Sequence, residues 1–204
     1  MKAVILVLAA MASAATIAIV FRPIIPVTPA LAAPIVARTV TLEAHATKAI
    51  ELSAHKLSPT RKKLIATMIS GIAERTFDNR EHSEWWITLL AVESGYDGRA
   101  RSSTGAIGIG QLIASYREDF GKECGFTDVD KDDLSDDYVN ATLSACYFKT
   151  MIARNDGSVS LALVAYNAGP HSSDLRKAKS GSSPGLEPSQ YTTRAVIHKE
   201  QVSK

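Results

Sequence analysis

The sequence predicts a mainly α-helical domain. Three observations lead there. Apolar residues recur at spacings of three and four in several successive stretches, the period of a helix face. Strand signals are weak, and no internal repeat or low-complexity array interrupts the pattern. At 204 residues and 46% hydrophobic, the chain can bury one ordinary core.

The first 32 residues read as a targeting segment. Lys2 supplies a short positive start, Val4 to Phe21 is almost unbroken apolar residues and alanine, and Ala30-Leu31-Ala32 offers a cleavage site. The rival reading is an uncleaved membrane anchor, since the apolar run reaches spanning length. Arg22 then falls on the wrong side for the positive-inside rule. Both readings put the body outside the cytoplasm. Removing Lys2 and Arg22 leaves 21 basic and 21 acidic residues. A neutral body argues against a phosphate-driven nucleic-acid binder and suits a glycan, which is held by hydrogen bonds and stacking.

Residues 33–41 read as extended linker, and Leu42 to Ala54 as good helix formers. Leu57-Ser58-Pro59 breaks that run, and Pro59 can open the next helix. Lys62 to Arg75 alternates basic and apolar residues, placing Leu64, Ile65, Met68 and Ile72 inward. Residues 33–80 thus form a helical segment packing on the core. Phe77-Asp78-Asn79 is a turn, and the key helix of residues 81–204 starts near Glu81–Ser83. On it, Trp86, Leu89, Leu90 and Glu93 share one face. Ser94-Gly95 then offers a stop, with Gly95 free to turn left-handed. Glu93 therefore lies on the buried stripe in the last turn. Desolvation and the negative end of the helix dipole both disfavour its charge and raise its pKa. A general acid working near neutral pH needs that property. The plain alternative is a helix-terminal Glu bent out to solvent.

Residues 98–110 form a glycine-marked loop with Gly105, Gly108 and Gly110. No Gly-Lys-Ser/Thr comes after it, so it is not a phosphate loop. Tyr116 to Cys124 reads as a short helix and turn. Asp128 to Asp137 is acid-rich but lacks the glycine and glutamate of a calcium loop, so it reads as a solvated, helix-starting run. Asp136 to Ile152 is a helix with Val139, Leu143, Cys146, Tyr147 and Met151 inward. Asp156-Gly157 is a turn, and Ser160 to Ala168 the next helix, capped at Gly169-Pro170. Residues 172–190 are rich in Ser, Gly, Pro and Lys and read as loop, before a short final helix around Thr193–Val202. Cys124 and Cys146, an even pair in an exported chain, are a disulfide candidate, or else two buried free thiols. No cysteine spacing matches a metal site.

Three ordered motifs carry a family resemblance. Glu93-Ser94-Gly95-Tyr96-Asp97, then Ser102, Gly105-Ala106, Gly108 and Gln111-Leu112 form the first. Ala165-Tyr166-Asn167-Ala168-Gly169-Pro170 is the second, and Glu187 with Tyr191 the third. This array resembles the soluble lytic transglycosylase and goose-type lysozyme superfamily. The resemblance implies a lysozyme-like helical domain with a glycan-binding groove. It makes Glu93 the catalytic acid and lines the groove with Ser102, Gln111, Tyr166, Asn167, Tyr191 and Glu187. It gives Tyr166 a hydroxyl to offer to a sugar N-acetyl group or to the acid's carboxylate; the alternative is a buried core tyrosine. Asn140 falls at the Asn of the family's D-x-x-x-N stretch. The chain departs from the pattern at Gly110-Gln111-Leu112-Ile113-Ala114, where the family's two methionines and proline are absent, and at Pro188 and Thr192.

Between Gly98 and Arg117 there is no Asp or Glu. A missing second carboxylate fits a lytic transglycosylase, in which the substrate's own hydroxyl replaces the nucleophile. The expected substrate is the peptidoglycan glycan strand in the bacterial periplasm or cell envelope. The expected protein is a monomer that requires no metal or organic cofactor and has no nucleic-acid partner. Its setting is wall turnover, a secretion or conjugation machine, or phage lysis. Two rivals stand beside this reading: a goose-type lysozyme hydrolysing the same bond, and a wall-binding or secretion-apparatus assembly module that has lost turnover.

Overall fold

The computed structural model describes residues 29–114, 124–126 and 132–204, with side chains described from Thr41 onward. The targeting run before Pro29, most of the expected Tyr116–Cys124 helix and part of the acid-rich run lie outside the described residues. Among the described residues, no helix is long and apolar enough to cross a membrane.

Helix α1 spans Pro29–Ser53. It absorbs the expected linker at 33–41 and the Ala30-Leu31-Ala32 site. No glycine or proline interrupts the chain from Ile35 to Leu57, so nothing stops the helix earlier. Helix α2, Pro59–Thr76, opens on Pro59 with Ser58 as N-cap. Its buried stripe is Ile65, Ile69 and Ile72. Leu64, expected inside, is 58% exposed. The apolar stripe sits one position further round because Ile69, not Leu64, completes the three-and-four spacing with Ile65 and Ile72.

Helix α3, Arg80–Ser94, is the centre of the domain and packs against α1, α2 and three later helices. Asn79 caps its start by accepting the His82 N–H at 2.8 Å. Gly95 ends it at φ 59°, ψ 32°, a left-handed turn that a side chain would strain. Trp86, Ile87, Leu89 and Leu90 are fully buried. The Trp86 indole N–H is satisfied by Ser144 Oγ at 2.9 Å.

The loop after α3 contains the small antiparallel hairpin β1 (Ala106–Ile107) and β2 (Leu112–Ile113), registered Ala106 to Ile113 and Ile107 to Leu112. A 3-10 turn at Asp133–Ser135 leads into α4, Asp137–Ala153, capped by Asp136. Leu143, Tyr147 and Met151 are buried there, with Val139 and Cys146 half-buried. Cys146 is joined to Cys124 in a disulfide. Helix α5, Val159–Ala168, begins after the Asp156-Gly157 turn.

The stretch 172–190, expected as loop, contains helix α6, Ser173–Lys179, and the start of α7, Leu186–Ser203. Ser172 caps α6 by accepting the Leu175 N–H, and Leu175 buries against α5. A capped four-residue turn and one apolar anchor outweigh the polar composition. Helix α7 is longer than expected because Pro188 falls in its first turn, where proline is tolerated. It packs against α1, α3 and α5.

Candidate active site

The site forms where the end of α3, the hairpin loop, α5 and α7 meet around a cavity of about 330 Å³. Glu93 and all six groove residues expected from the sequence line it: Ser102, Gln111, Tyr166, Asn167, Glu187 and Tyr191.

Glu93 keeps part of its surface open to this cavity. Burial pushes its carboxyl up from 4.5 to about 7. The Tyr191 hydroxyl and the Arg194 guanidinium pull the other way, and the Glu187 charge adds to the rise. Tyr191 donates to Glu93 Oε1 at 2.7 Å. The hydroxyl on the acid thus comes from α7, not from Tyr166. Tyr166 is buried and donates instead to the Gly110 carbonyl at 2.7 Å, with its ring centroid 4.9 Å from that of Tyr147. Burial raises the pKa of both tyrosines well above the ordinary value, so both hydroxyls remain donors.

The loop opposite Glu93 is held from behind. Ser94 Oγ donates to the Ile109 carbonyl at 2.7 Å. Asn140 on α4, fully buried, accepts the Gly110 N–H at 2.8 Å and donates to the Ile107 and Leu134 carbonyls, each at 2.9 Å. This close approach explains Gly108 and Gly110. A Cβ on Gly108, which has φ 78°, would fall 2.4 Å from Asn140 Nδ2, and one on Gly110 2.5 Å from Ser144 Cβ. Gln111 takes a left-handed φ of 50° and spends its Nε2 on the Gly108 carbonyl at 2.9 Å and the Ala100 carbonyl at 3.3 Å. Ser102 Oγ accepts the Ala106 N–H and meets Thr104 Oγ1, both at 2.9 Å. Gln111 and Ser102 therefore shape the loop as well as facing the cavity.

On the far wall, Asn167 Nδ2 donates to Glu187 Oε1 at 2.8 Å. Asn167 Oδ1 is buried without a partner among the described residues. An acceptor left unpaired at the edge of a polar cavity is free for a donor brought by a ligand. Asp97, four residues past Glu93, accepts the Arg99 N–H and holds the turn. Among the described residues, no three His, Cys, Asp or Glu side chains gather as a metal site.

Two residues that matter here carry no role from sequence reasoning. Asn140 is visible there only as a motif position, and its grip on the loop is a tertiary fact. Arg194 lines the cavity without any sequence signal pointing to it except its spacing: it lies three residues after Tyr191, about one helical turn along the same face.

The mainly helical architecture, with a groove at the end of its central helix, is a lysozyme-like fold. The profile of the transglycosylase SLT domain matches residues 72–186, more than half of the chain, and the chain belongs to that family. In three dimensions it is similar to an inactive mutant of the lytic transglycosylase Slt from Pseudomonas aeruginosa. The TM-score is 0.52 at 21% identity, covering 71% of this chain and 29% of that one. This chain thus spans less than a third of the length of that protein, and the likeness speaks for the fold.

Proposed function

We propose that the protein is a peptidoglycan lytic transglycosylase that cleaves the β-1,4 bond from N-acetylmuramic acid to N-acetylglucosamine, with Glu93 as acid and then base. Family membership supports the reaction class. The observation that carries the residue assignment is the Glu93 carboxyl, raised to about 7 and hydrogen-bonded by Tyr191 in a cavity with hydroxyl and amide walls.

Protonated Glu93 gives its proton to the glycosidic oxygen as the bond to the anomeric carbon breaks. The substrate's N-acetyl oxygen stabilises the cationic centre. Glu93, now a carboxylate held by Tyr191, takes the proton of the muramoyl 6-hydroxyl, whose oxygen attacks the anomeric carbon. A 1,6-anhydro end forms, and no water is consumed. Holding that hydroxyl close supplies what a protein nucleophile would otherwise supply. Clearing of purified sacculi tests the assignment: Glu93→Gln should abolish it while the fold persists. A variant that clears wall at the parent rate removes Glu93 from the chemistry.

A hydrolytic reading has one specific observation in its favour. Glu187 lines the same cavity as Glu93 and is a carboxylate that a water-activating step needs. Its tie to Asn167 makes it a wall-shaping group in the transglycosylase reading. Glu187→Gln should then reduce activity modestly, whereas a hydrolase would lose it. Around this centre, residues 81–204 serve as the catalytic unit, 33–80 as a helical segment packed on it, and 1–32 as an export signal or membrane anchor that places the body outside the cytoplasm.

A further inference from the structure

The walls of the cavity carry two carboxyl side chains, Glu93 and Glu187, and one guanidinium, Arg194. The two acids have partners, Tyr191 and Asn167. Arg194 has no hydrogen bond or ion pair among the described residues, and it is exposed. It is not a stray surface charge. Glu187, Tyr191 and Arg194 fall at positions i, i+4 and i+7 of α7, one stripe facing the groove.

An uncommitted guanidinium there has five donors fixed in a planar fork, a shape that matches a carboxylate in bidentate fashion. The sugar rings of wall glycan offer only hydroxyl and acetamido groups, which need no cation. The carboxylates of the wall polymer sit on the lactyl ether of muramic acid, when it is free, and on the stem peptide. Resting on the reading that this groove holds wall glycan, we infer that Arg194 recognises a substrate carboxylate, from an unsubstituted lactyl group or from a stem peptide. It is thus a specificity residue distinct from the acid. The competing role for the same side chain is to stabilise ionised Glu93 alone, and that role is indifferent to what the substrate carries.

Equilibrium binding separates the two and needs no turnover. The parent is the Glu93→Gln protein, compared with the same protein also carrying Arg194→Gln or Arg194→Lys. Three probes are used: a muramoyl-containing tetrasaccharide with free lactyl carboxylates, the same sugar with those carboxyls converted to methyl amides, and the same sugar bearing stem peptides. Arg194→Gln should weaken at least one charged probe by about tenfold and the methyl amide by less than about twofold. Arg194→Lys, a point charge without the fork, should recover part of the loss. Loss on the free-lactyl sugar assigns that carboxylate; loss on the stem-bearing sugar alone assigns the peptide. Unchanged binding of both charged probes, or an equal loss on the methyl amide, overturns the inference. Thermal melts show whether each variant is folded, and if Arg194→Gln is not, the Lys variant carries the comparison. If the parent binds none of the three sugars, the glycan reading itself falls, an outcome distinct from a parent that binds all three regardless of residue 194.

Discussion

Replacing Glu93 by glutamine should change how stability depends on pH. The carboxyl is carried from 4.5 to about 7 by burial. At about 1.36 kcal/mol per pH unit, its ionised form is disfavoured in the folded state by about 3 kcal/mol. The sign comes from proton counting. Between pH 4.5 and 7 the folded protein keeps a proton that the unfolded chain has lost, so this group's contribution to stability falls as pH rises through that window. Below it both states are protonated, and above it both are ionised and the full cost is borne. Glutamine fills the same volume without titrating. Wild-type protein should therefore lose up to about 3 kcal/mol relative to Glu93→Gln between about pH 4.5 and 8, the figure being a ceiling because Glu93 keeps part of its surface open. Urea unfolding of both proteins, followed by the fluorescence of Trp85 and Trp86, reads the difference at each pH, and all other titrations common to the two cancel. A difference that stays flat across the window refutes the burial argument for Glu93.

Four further outcomes are expected from the same structure. Activity against wall glycan should fall about tenfold per pH unit above about pH 7 as Glu93 ionises; a rate still rising at about pH 9 contradicts a raised carboxyl. Tyr191→Phe removes the donor that favours the carboxylate, so the alkaline limb of the pH–rate profile should move to higher pH while kcat/KM drops about tenfold. Asn140→Ala strips three buried hydrogen bonds from the loop and should cost about 2–4 kcal/mol in denaturant unfolding, with activity falling as the loop loosens. Reducing the Cys124–Cys146 bond, 22 residues apart, should lower stability by about 3 kcal/mol in the chain-entropy model, read as a lower urea midpoint in the presence of a reductant.

Helix α3 is legible in the sequence because every local signal agrees. Its apolar spacing and its Gly95 stop specify one element and fix the place of Glu93 on the stripe, while the Asn79 cap, read from sequence only as part of a turn, sets its start at Arg80. The stretch 172–190 misleads because its composition points to loop while its capping points to helix: Ser172 starts a helix that Leu175 anchors, and Pro188 lies where a helix accepts it. From sequence, Tyr166 is one choice for the hydroxyl that meets Glu93, yet that hydroxyl comes from Tyr191. Both tyrosines reach the same cavity, and only the packing of α5 against the loop decides which oxygen Gly110 takes. Asn140 and Arg194 are opaque for a related reason. The first acts through backbone atoms as far as 33 residues away, and the second becomes meaningful only once α7 is known to continue as one helix through Tyr191.

In the proposed reaction the anomeric carbon is closed by the substrate's own hydroxyl, not by water. Mass spectrometry of fragments released from purified peptidoglycan tests it most directly. The expected products are muramoyl ends lighter than reducing ends by one water, about 18 Da, made by the wild-type protein and absent with Glu93→Gln. Fragments that carry only reducing ends would contradict it.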